Sequence, residues 1–289
     1  LKLLVFGAGG IVGRALVAEG TRRGWSVTGL PRAAADVTDR AAVHAALAGC
    51  RPDLVVNCAA FTRVDACESE RETALRINGE APGGIAAECA RAGARFVQPS
   101  SDYVFDGEAT EPYREEDATG PRSVYGESKL EGERRTLAAG GRSLIVRTSW
   151  VFGHGGSHFV AAIRSRIEAG GGPLRVVADQ TGGPTYAPFL ARAIADLGES
   201  GTSGIVHYQN REPVTWYEFA REIARQLGRR VEIRPVTTEE YPLPARRPRF
   251  SVLAVARFER LVGRPVESWR TGLAEYLAGE PAQESGEKR

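Results

Sequence analysis

The opening residues LKLLVFGAGGIVG constrain the fold more than any other stretch: an apolar run, a cluster of glycines, then an amphipathic segment. Residues 1–6 predict a buried strand, and GIVGRALVAEGTRRG predicts a helix whose apolar face includes Ile11, Ala15, Leu16 and Val17. Gly7, Gly10 and Gly13 fill the junction in a G-x-x-G-x-x-G spacing. Glycines there let the backbone turn tightly and approach a pyrophosphate, which then sits at the positive end of the helix. A plain βα loop uses the same residues, so position decides. This turn joins the first strand to the first helix, with a second strand within ~30 residues.

The rest of the first half repeats the pattern. Strands are predicted at 25–30, 53–59, 94–100 and 143–149. Helices are predicted over about 39–48, about 68–92 (bent or broken near Pro82) and about 124–139. Strict alternation means a parallel sheet covered by helices on both faces, the Rossmann-type doubly wound α/β class. After Trp150 the rhythm changes. GHGGSHF and EAGGGPLRVV read as glycine-rich loops, and a proline cluster runs through 234–250. Short helices are expected at 187–197, 216–227 and 268–278, with strands at 175–179, 204–208 and 231–236. The expected division is a dinucleotide-binding domain over 1–150 and a smaller substrate-binding lobe over 151–279, partly interleaved with the sheet. Residues 280–289 lack apolar periodicity and are expected to be disordered.

Composition excludes several function classes. A net charge of +2 argues against non-specific nucleic-acid binding. No apolar run approaches the ~18 residues of a membrane span, and the first residues are too short and too soon glycine-rich for a signal peptide. The four cysteines (Cys50, Cys58, Cys67 and Cys89) show no C-x-x-C spacing, so neither a disulfide framework nor a zinc site is expected. These features predict a cytoplasmic protein with reduced thiols.

The second strand ends in Leu30, Pro31 and Arg32, where an NAD-type site would place an acidic residue for the ribose hydroxyls. Arg32 can pair with a 2′-phosphate instead, which favours NADPH with NADH tolerated; a solvated loop arginine is the competing reading. Lysine is rare in this chain, occurring only at Lys2, Lys129 and Lys288. Tyr125 and Lys129 stand four residues apart on a predicted helix and so share a face. A neighbouring cation favours phenolate and lowers a tyrosine pKa towards the working range. A rotatable ammonium can also reach ribose hydroxyls, which a guanidinium fork does not do equivalently. Ser100 and Ser101 end a strand at the sheet edge where open α/β folds bind ligands, and a serine hydroxyl there can donate to a carbonyl oxygen as charge develops. Ser101, Tyr125 and Lys129 are therefore the candidate catalytic group.

These residues resemble the extended short-chain dehydrogenases/reductases and, within them, the dTDP-4-dehydrorhamnose reductase family. The resemblance covers the chain to about residue 279 and rests on GAGGIVG, PDLVVNCAAFTRVDACESE, SSDYVFDG, YGESK, RTSWVFG, DQTGGPTY and RRPRFSVL. It implies Tyr125 as proton donor, Lys129 as its cationic partner, and Ser101, where the family more often has threonine, as carbonyl donor. It implies that Gly7, Gly10, Ile11 and Val12 line the pyrophosphate, that Asp36 and Val37 flank the adenine, and that Cys58, Ala59 and Ala60 pass beneath the cofactor. Thr62, Val64, Asp102, Phe105 and Trp150 would surround the deoxysugar, with Gln180, Pro184, Thr185 and Arg247 towards the nucleotide diphosphate. The implied reaction is NAD(P)H-dependent reduction of the C4 carbonyl of dTDP-4-dehydro-L-rhamnose. A 4-ketoreductase for another nucleotide-linked 6-deoxysugar and a non-catalytic NADP-binding regulatory subunit remain alternatives. A dehydratase is disfavoured, because Asp102 is followed by Tyr103 and not by glutamate. Some relatives dimerise through a carboxylate-bridged metal; Ala15 stands at one bridging position, so no metal is expected, and the assembly is a monomer or a homodimer.

Overall fold

The computed structural model describes residues 1–170 and 172–279. The first half runs β1 (Lys2–Phe6), α1 (Ile11–Arg22), β2 (Ser26–Leu30), α2 (Arg40–Cys50) and β3 (Leu54–Asn57). It continues through α3 (Val64–Ser69), α4 (Arg71–Ala74), a π-helical segment (Leu75–Glu80), α5 (Ala81–Ala92) and β4 (Arg95–Ser101). A 3₁₀ turn (Asp102–Val104), α6 (Val124–Ala138) and β5 (Arg142–Thr148) follow. Beyond Trp150 come β6 (Val151–Phe152), α7 (Phe159–Ala169), β7 (Leu174–Val177), β8 (Thr181–Gly182), β9 (Thr185–Tyr186) and α8 (Ala187–Ser200). Next are β10 (Gly204–His207), β11 (Val214–Thr215), α9 (Trp216–Gln226), β12 (Ile233–Val236), α10 (Ala256–Val262) and α11 (Trp269–Ala278).

The main sheet is parallel, in the order β10-β5-β4-β3-β1-β2, so β10 from beyond Trp150 completes it. Its inner strands β1, β3, β4 and β5 are buried on both faces, as continuous apolar runs require, while β2 at the edge is partly exposed. Leu3, Val5, Leu54 and Val56 pack on one side with Leu16, Leu190 and Ile194. The alternate residues Leu4, Phe6 and Val55 pack on the other side with Val43, Leu47 and Ile85. The chain leaves β1 for β2 on one flank and crosses to β3 on the other, so the order reverses there. That reversal opens a cleft beyond the carboxyl ends of the strands. Register aligns Phe6 with Leu30 and Asn57, and Ser101 with Thr148, along this edge. Beyond the sheet lie the two-stranded pairs β6–β9, β8–β11 and β7–β12.

Three elements depart from expectation. The helix predicted near 68–92 is interrupted at Glu70, between α3 and α4, and runs on through Pro82, which sits in the first turn of α5. Proline lacks an N–H and crowds the carbonyl four residues earlier; the π segment ending at Glu80 has already shifted the hydrogen-bond ladder there. α7 lies between the two glycine-rich stretches read as loops, with Val160, Ile163 and Ile167 buried and His158 capping Ala161 N at 3.3 Å. α10 follows the proline cluster and buries Phe258. The disorder expected over 280–289 lies outside the described residues. No described helix is long and apolar enough to cross a membrane.

Candidate active site

The glycine turn is built for close approach. Gly7 has φ +70°, and a Cβ there would fall 2.4 Å from the Ala59 nitrogen; one at Gly13 would fall 2.3 Å from the Gly7 carbonyl oxygen. Gly10 caps α1 without a side-chain acceptor, and no acidic residue occupies the first turn. The orphan N–H groups of that turn therefore suit an anion. Ile11 and Val12 are half-buried beside it, and half-buried Cys58, Ala59 and Ala60 continue from β3 against Gly7. A cradle that any Cβ would fill, at a helix N-terminus with no resident carboxylate, fits a dinucleotide pyrophosphate. Arg32 is largely exposed, its Nε 3.6 Å from Asp36. The Thr38 N–H and hydroxyl, at 2.9 and 2.8 Å, hold the Asp36 carboxyl below its ordinary range, with Arg32 adding to the effect. The Val37 side chain is only 7% exposed and packs into the core beneath α2, next to Asp36.

α6 delivers the tyrosine and the lysine. Ser123 caps it through Gly126 N at 3.2 Å, and Glu68 accepts from Val124 N at 2.9 Å, which fixes the helix start against α3. Lys129 is 5% exposed and donates to the Pro99 carbonyl at 2.8 Å. Burial pushes its pKa down to about 8, against the opposing charge of Glu133. The Cys58 thiol is itself pushed up to about 12 by burial. The Tyr125 phenol is held above its ordinary value, chiefly by burial; a hydrogen bond with Ser101 pulls it back and the charge of Asp102 adds to the rise. Lys129, whose ammonium is turned to the Pro99 carbonyl, has no part in this shift. A phenol that keeps its proton at neutral pH is a proton donor.

The Ser101 hydroxyl donates to Asp102 Oδ1 at 2.9 Å and accepts from Tyr103 N at 3.2 Å. Asp102 is 2% exposed, and burial pushes its pKa up to about 6 despite hydrogen bonds from Ser251 and Ser101. Asp102 Oδ2 and the Ser100 hydroxyl are buried without hydrogen-bond partners. Asp102 and Ser101 are thus hydrogen-bonded beside Tyr125, with the Tyr103 ring edge-on to Tyr125 at 5.4 Å. Asp102 was expected against a sugar; its side chain instead supports Ser101.

The remaining predicted residues divide. Thr62 is exposed and Val64 half-buried where α3 begins. Trp150, half-buried with φ +45°, stacks on Trp216 at 3.3 Å between ring centroids. Arg247 reaches the α3 side of the cleft, but its guanidinium is held by both Asp65 oxygens at 2.8 Å. Gln180 is buried and donates to the Thr238 hydroxyl at 2.9 Å. Pro184 is buried, Thr185 is wholly buried, and Phe105 stacks on Tyr113 at 4.2 Å inside a small core. The side chains of Phe105, Pro184 and Thr185 are thus taken up in packing.

Two groups went unread in the sequence. Asn78, in the π segment, accepts from Phe61 N at 2.8 Å and donates to the Phe61 carbonyl and the Ser128 hydroxyl, both at 3.0 Å. It ties the loop after β3 to α6. Glu133 and Arg147 form a fully buried bidentate pair. Glu133 follows Lys129 by four residues, so helical spacing alone could have marked it.

Comparison with known proteins agrees with this architecture. The family model described as RmlD substrate binding domain matches residues 1–280. A dTDP-4-dehydrorhamnose reductase from Streptomyces griseus is 45% identical over 95% of this chain and 92% of its own length. A probable dTDP-4,6-dihydroxy-2-methyloxan-3-one 4-ketoreductase from Streptomyces antibioticus is 41% identical over 95% of this chain and 94% of its own. The crystal structure of dTDP-4-dehydrorhamnose reductase from Bacillus anthracis in complex with NADP superimposes with a TM-score of 0.93 at 32% identity, covering 96% of this chain and 99% of that one. A Rossmann sheet, a glycine cradle and a Tyr-x-x-x-Lys helix, matched end to end by these relatives, establish that the chain belongs to the RmlD family, the dTDP-4-dehydrorhamnose reductase branch of the extended short-chain dehydrogenases/reductases.

Proposed function

We propose that the chain reduces the C4 carbonyl of dTDP-4-dehydro-L-rhamnose to dTDP-L-rhamnose, with NADPH as reductant and NADH accepted. The observation that carries this reading is Ser101, hydrogen-bonded to Asp102 at the carboxyl edge of the sheet, with Tyr125 and Lys129 one turn apart on α6. NADPH, when bound, supplies the hydride. Gly7, Gly10, Ile11 and Val12 hold the pyrophosphate, and Arg32 takes the 2′-phosphate in exchange for Asp36. Ser101 turns its one hydroxyl hydrogen from Asp102 to the carbonyl oxygen as negative charge develops, and the protonated Tyr125 delivers the proton. Lys129 offers its ammonium to the ribose hydroxyls and steadies the phenolate left behind. Residues 1–150 carry the cofactor side, while Trp150 and the lobe beyond it carry the sugar side.

A second reading keeps the chemistry and changes the sugar: a 4-ketoreductase acting on another dTDP-6-deoxysugar. The Streptomyces antibioticus relative supports it, because at 41% identity it is a probable 4-ketoreductase of a different dTDP-linked substrate. A purely regulatory role needs no proton relay and leaves Ser101, Tyr125 and Lys129 without a task. The protein is read as cytoplasmic, a monomer or a homodimer without a bridging metal, Ala15 providing no ligand.

The test is oxidation of NADPH on addition of dTDP-4-dehydro-L-rhamnose, followed by loss of nicotinamide absorbance. Tyr125→Phe should lower turnover by roughly 10²- to 10⁴-fold while leaving NADPH affinity within a few-fold. Faster turnover of a different 4-keto sugar nucleotide selects the second reading. Cofactor binding without turnover of any such sugar rejects both.

A further inference from the structure

Tyr125, Lys129 and Glu133 follow one another at four-residue intervals along α6 and so form a single stripe. Tyr125 and Lys129 belong to the chemistry above. Glu133 lies deeper, 2% exposed, one turn beyond the lysine and too far along the stripe to meet the Tyr125 phenol. Arg147 on β5, 3% exposed, grips both of its oxygens at 2.9 and 2.8 Å. Arg147 is braced in turn: its Nη1 lies 3.4 Å from the Glu115 carbonyl and 3.4 Å from His207 Nε2, and its guanidinium rests over the Phe105 ring at 5.0 Å. His207 Nδ1 lies 3.1 Å from the Tyr113 carbonyl, so that nitrogen donates and Nε2 accepts from Arg147.

A buried ion pair of this kind adds little net stability, since taking both charges out of water offsets most of their attraction. Its place one turn from Lys129 on the same helix points to that lysine as the third group involved. We propose that Glu133 is a positioning residue for the reductase chemistry: clamped by Arg147, its carboxylate keeps the neighbouring Lys129 ammonium charged in the dry floor of the cleft. This rests on the reading of Lys129 as the cofactor-side cation.

The surroundings of Lys129 support the assignment from every side. From β4 it receives only the neutral Pro99 carbonyl. From the end of β3 it faces Cys58, whose thiol is pushed up to about 12 and so stays uncharged. Asp102, past β4, is pushed up to about 6 and acts on Tyr125, not on the lysine. His207 on β10 is lowered to about 3 by burial and Arg147, and brings no charge. The Tyr125 phenol keeps its proton. Glu133 is the anion that opposes the desolvation of Lys129.

The chain has lysine only at Lys2, Lys129 and Lys288, so protein labelled with ¹³C at the lysine Cε gives three resonances to titrate. Lys129 should titrate near its lowered value of about 8 in the native protein. In Glu133→Gln the midpoint should fall by about one pH unit or more, and in Glu133→Asp it should stay close to native. Glu133→Gln leaves Arg147 buried and uncompensated, so Glu133→Gln/Arg147→Met provides a variant with neither charge, and its Lys129 midpoint should also be lowered. The alkaline limb of the kcat–pH profile should move in the same direction: the ammonium is the working form, so a lower pKa loses activity earlier as pH rises. A midpoint unchanged in either folded variant, or a uniform loss of activity with an unmoved limb, overturns the proposal. Absence of turnover by the native protein would strike the proposed reaction instead, leaving the ¹³C midpoint to decide on Glu133.

Discussion

Asp102→Asn should make the protein gain stability relative to wild type as pH rises. The wild-type carboxyl is 2% exposed; one oxygen accepts the Ser101 hydroxyl at 2.9 Å and the other has no hydrogen-bond partner. Burial lifts its pKa from 3.8 to about 6. The folded state therefore holds this proton more tightly than the unfolded state does. Wild-type stability falls as pH climbs from the unfolded value through about 6, and the loss is complete above that. A separation of about two pK units corresponds to about 3 kcal/mol in full. Asparagine does not titrate. Between about pH 4.5 and about pH 7.5, which spans most of the separation, the stability of the variant relative to wild type should rise by about 2 kcal/mol. Taking the difference between two pH values cancels any fixed cost of burying the asparagine amide. Urea unfolding of both proteins at both pH values, with matching m-values, measures it directly. A stability difference that stays constant across this range refutes the reasoning, because it would mean that Asp102 titrates alike in the folded and unfolded chains.

Arg32→Ala should raise the Kd for NADPH by roughly tenfold and leave that for NADH nearly unchanged, since only the former offers a 2′-phosphate to the guanidinium. Titration of each cofactor by fluorescence checks it, and an equal effect on both would remove Arg32 from the cofactor site. Gly132→Ala should cost about 1–3 kcal/mol in urea unfolding. Its new Cβ would fall 2.1 Å from the Asn78 carbonyl oxygen, a backbone atom that can yield only if α6 and the π segment separate. A neutral substitution would show that these two helical segments are not in the contact described.

The parallel sheet was legible because each strand of the first half is a short apolar run bounded by glycines or turn residues, and each connection carries helical periodicity. The glycine turn and the Tyr125–Lys129 pair were legible for a similar reason: their chemistry depends on spacing within one segment. α7 was missed although Val160, Ile163 and Ile167 repeat at helical intervals, because glycine-rich flanks on both sides drew the whole region into a loop reading. The π segment leaves no periodic mark, since it differs from an α-helix in hydrogen-bond step and not in which residues are apolar. Pairings across the chain left no trace at all. Asp65 holds Arg247 from 182 positions away, and nothing in RRPR distinguishes an arginine engaged by a carboxylate from one waiting for a diphosphate. Desolvation was likewise invisible. Helical spacing placed a cation beside Tyr125, but only the folded packing shows that burial raises the phenol and lowers the lysine together.

That joint burial bears on what holds α6 in place. Its inward positions include Ser128 and Thr136, both fully buried, and the nearly buried Lys129 and Glu133. A helix that turns such groups inward gains little from apolar burial. Hydrogen bonds and ion pairs to fixed backbone and side-chain partners must supply the docking: Asn78 to Ser128, Pro99 to Lys129 and Arg147 to Glu133. Each partner comes from a different element, the π segment, β4 and β5 in turn, so the orientation of the helix is specified from three directions. A substitution at Asn78 or Arg147 therefore acts on Tyr125 and Lys129 through the position or charge of α6, without itself touching substrate, whereas the Pro99 carbonyl belongs to the backbone. An apolar helix could be repacked and still bind; this one cannot shift without unsatisfying a buried polar group, which costs about 1–3 kcal/mol each time. The same dry, polar contacts that make α6 costly to bury hold its phenol and ammonium in a fixed relation to the glycine cradle.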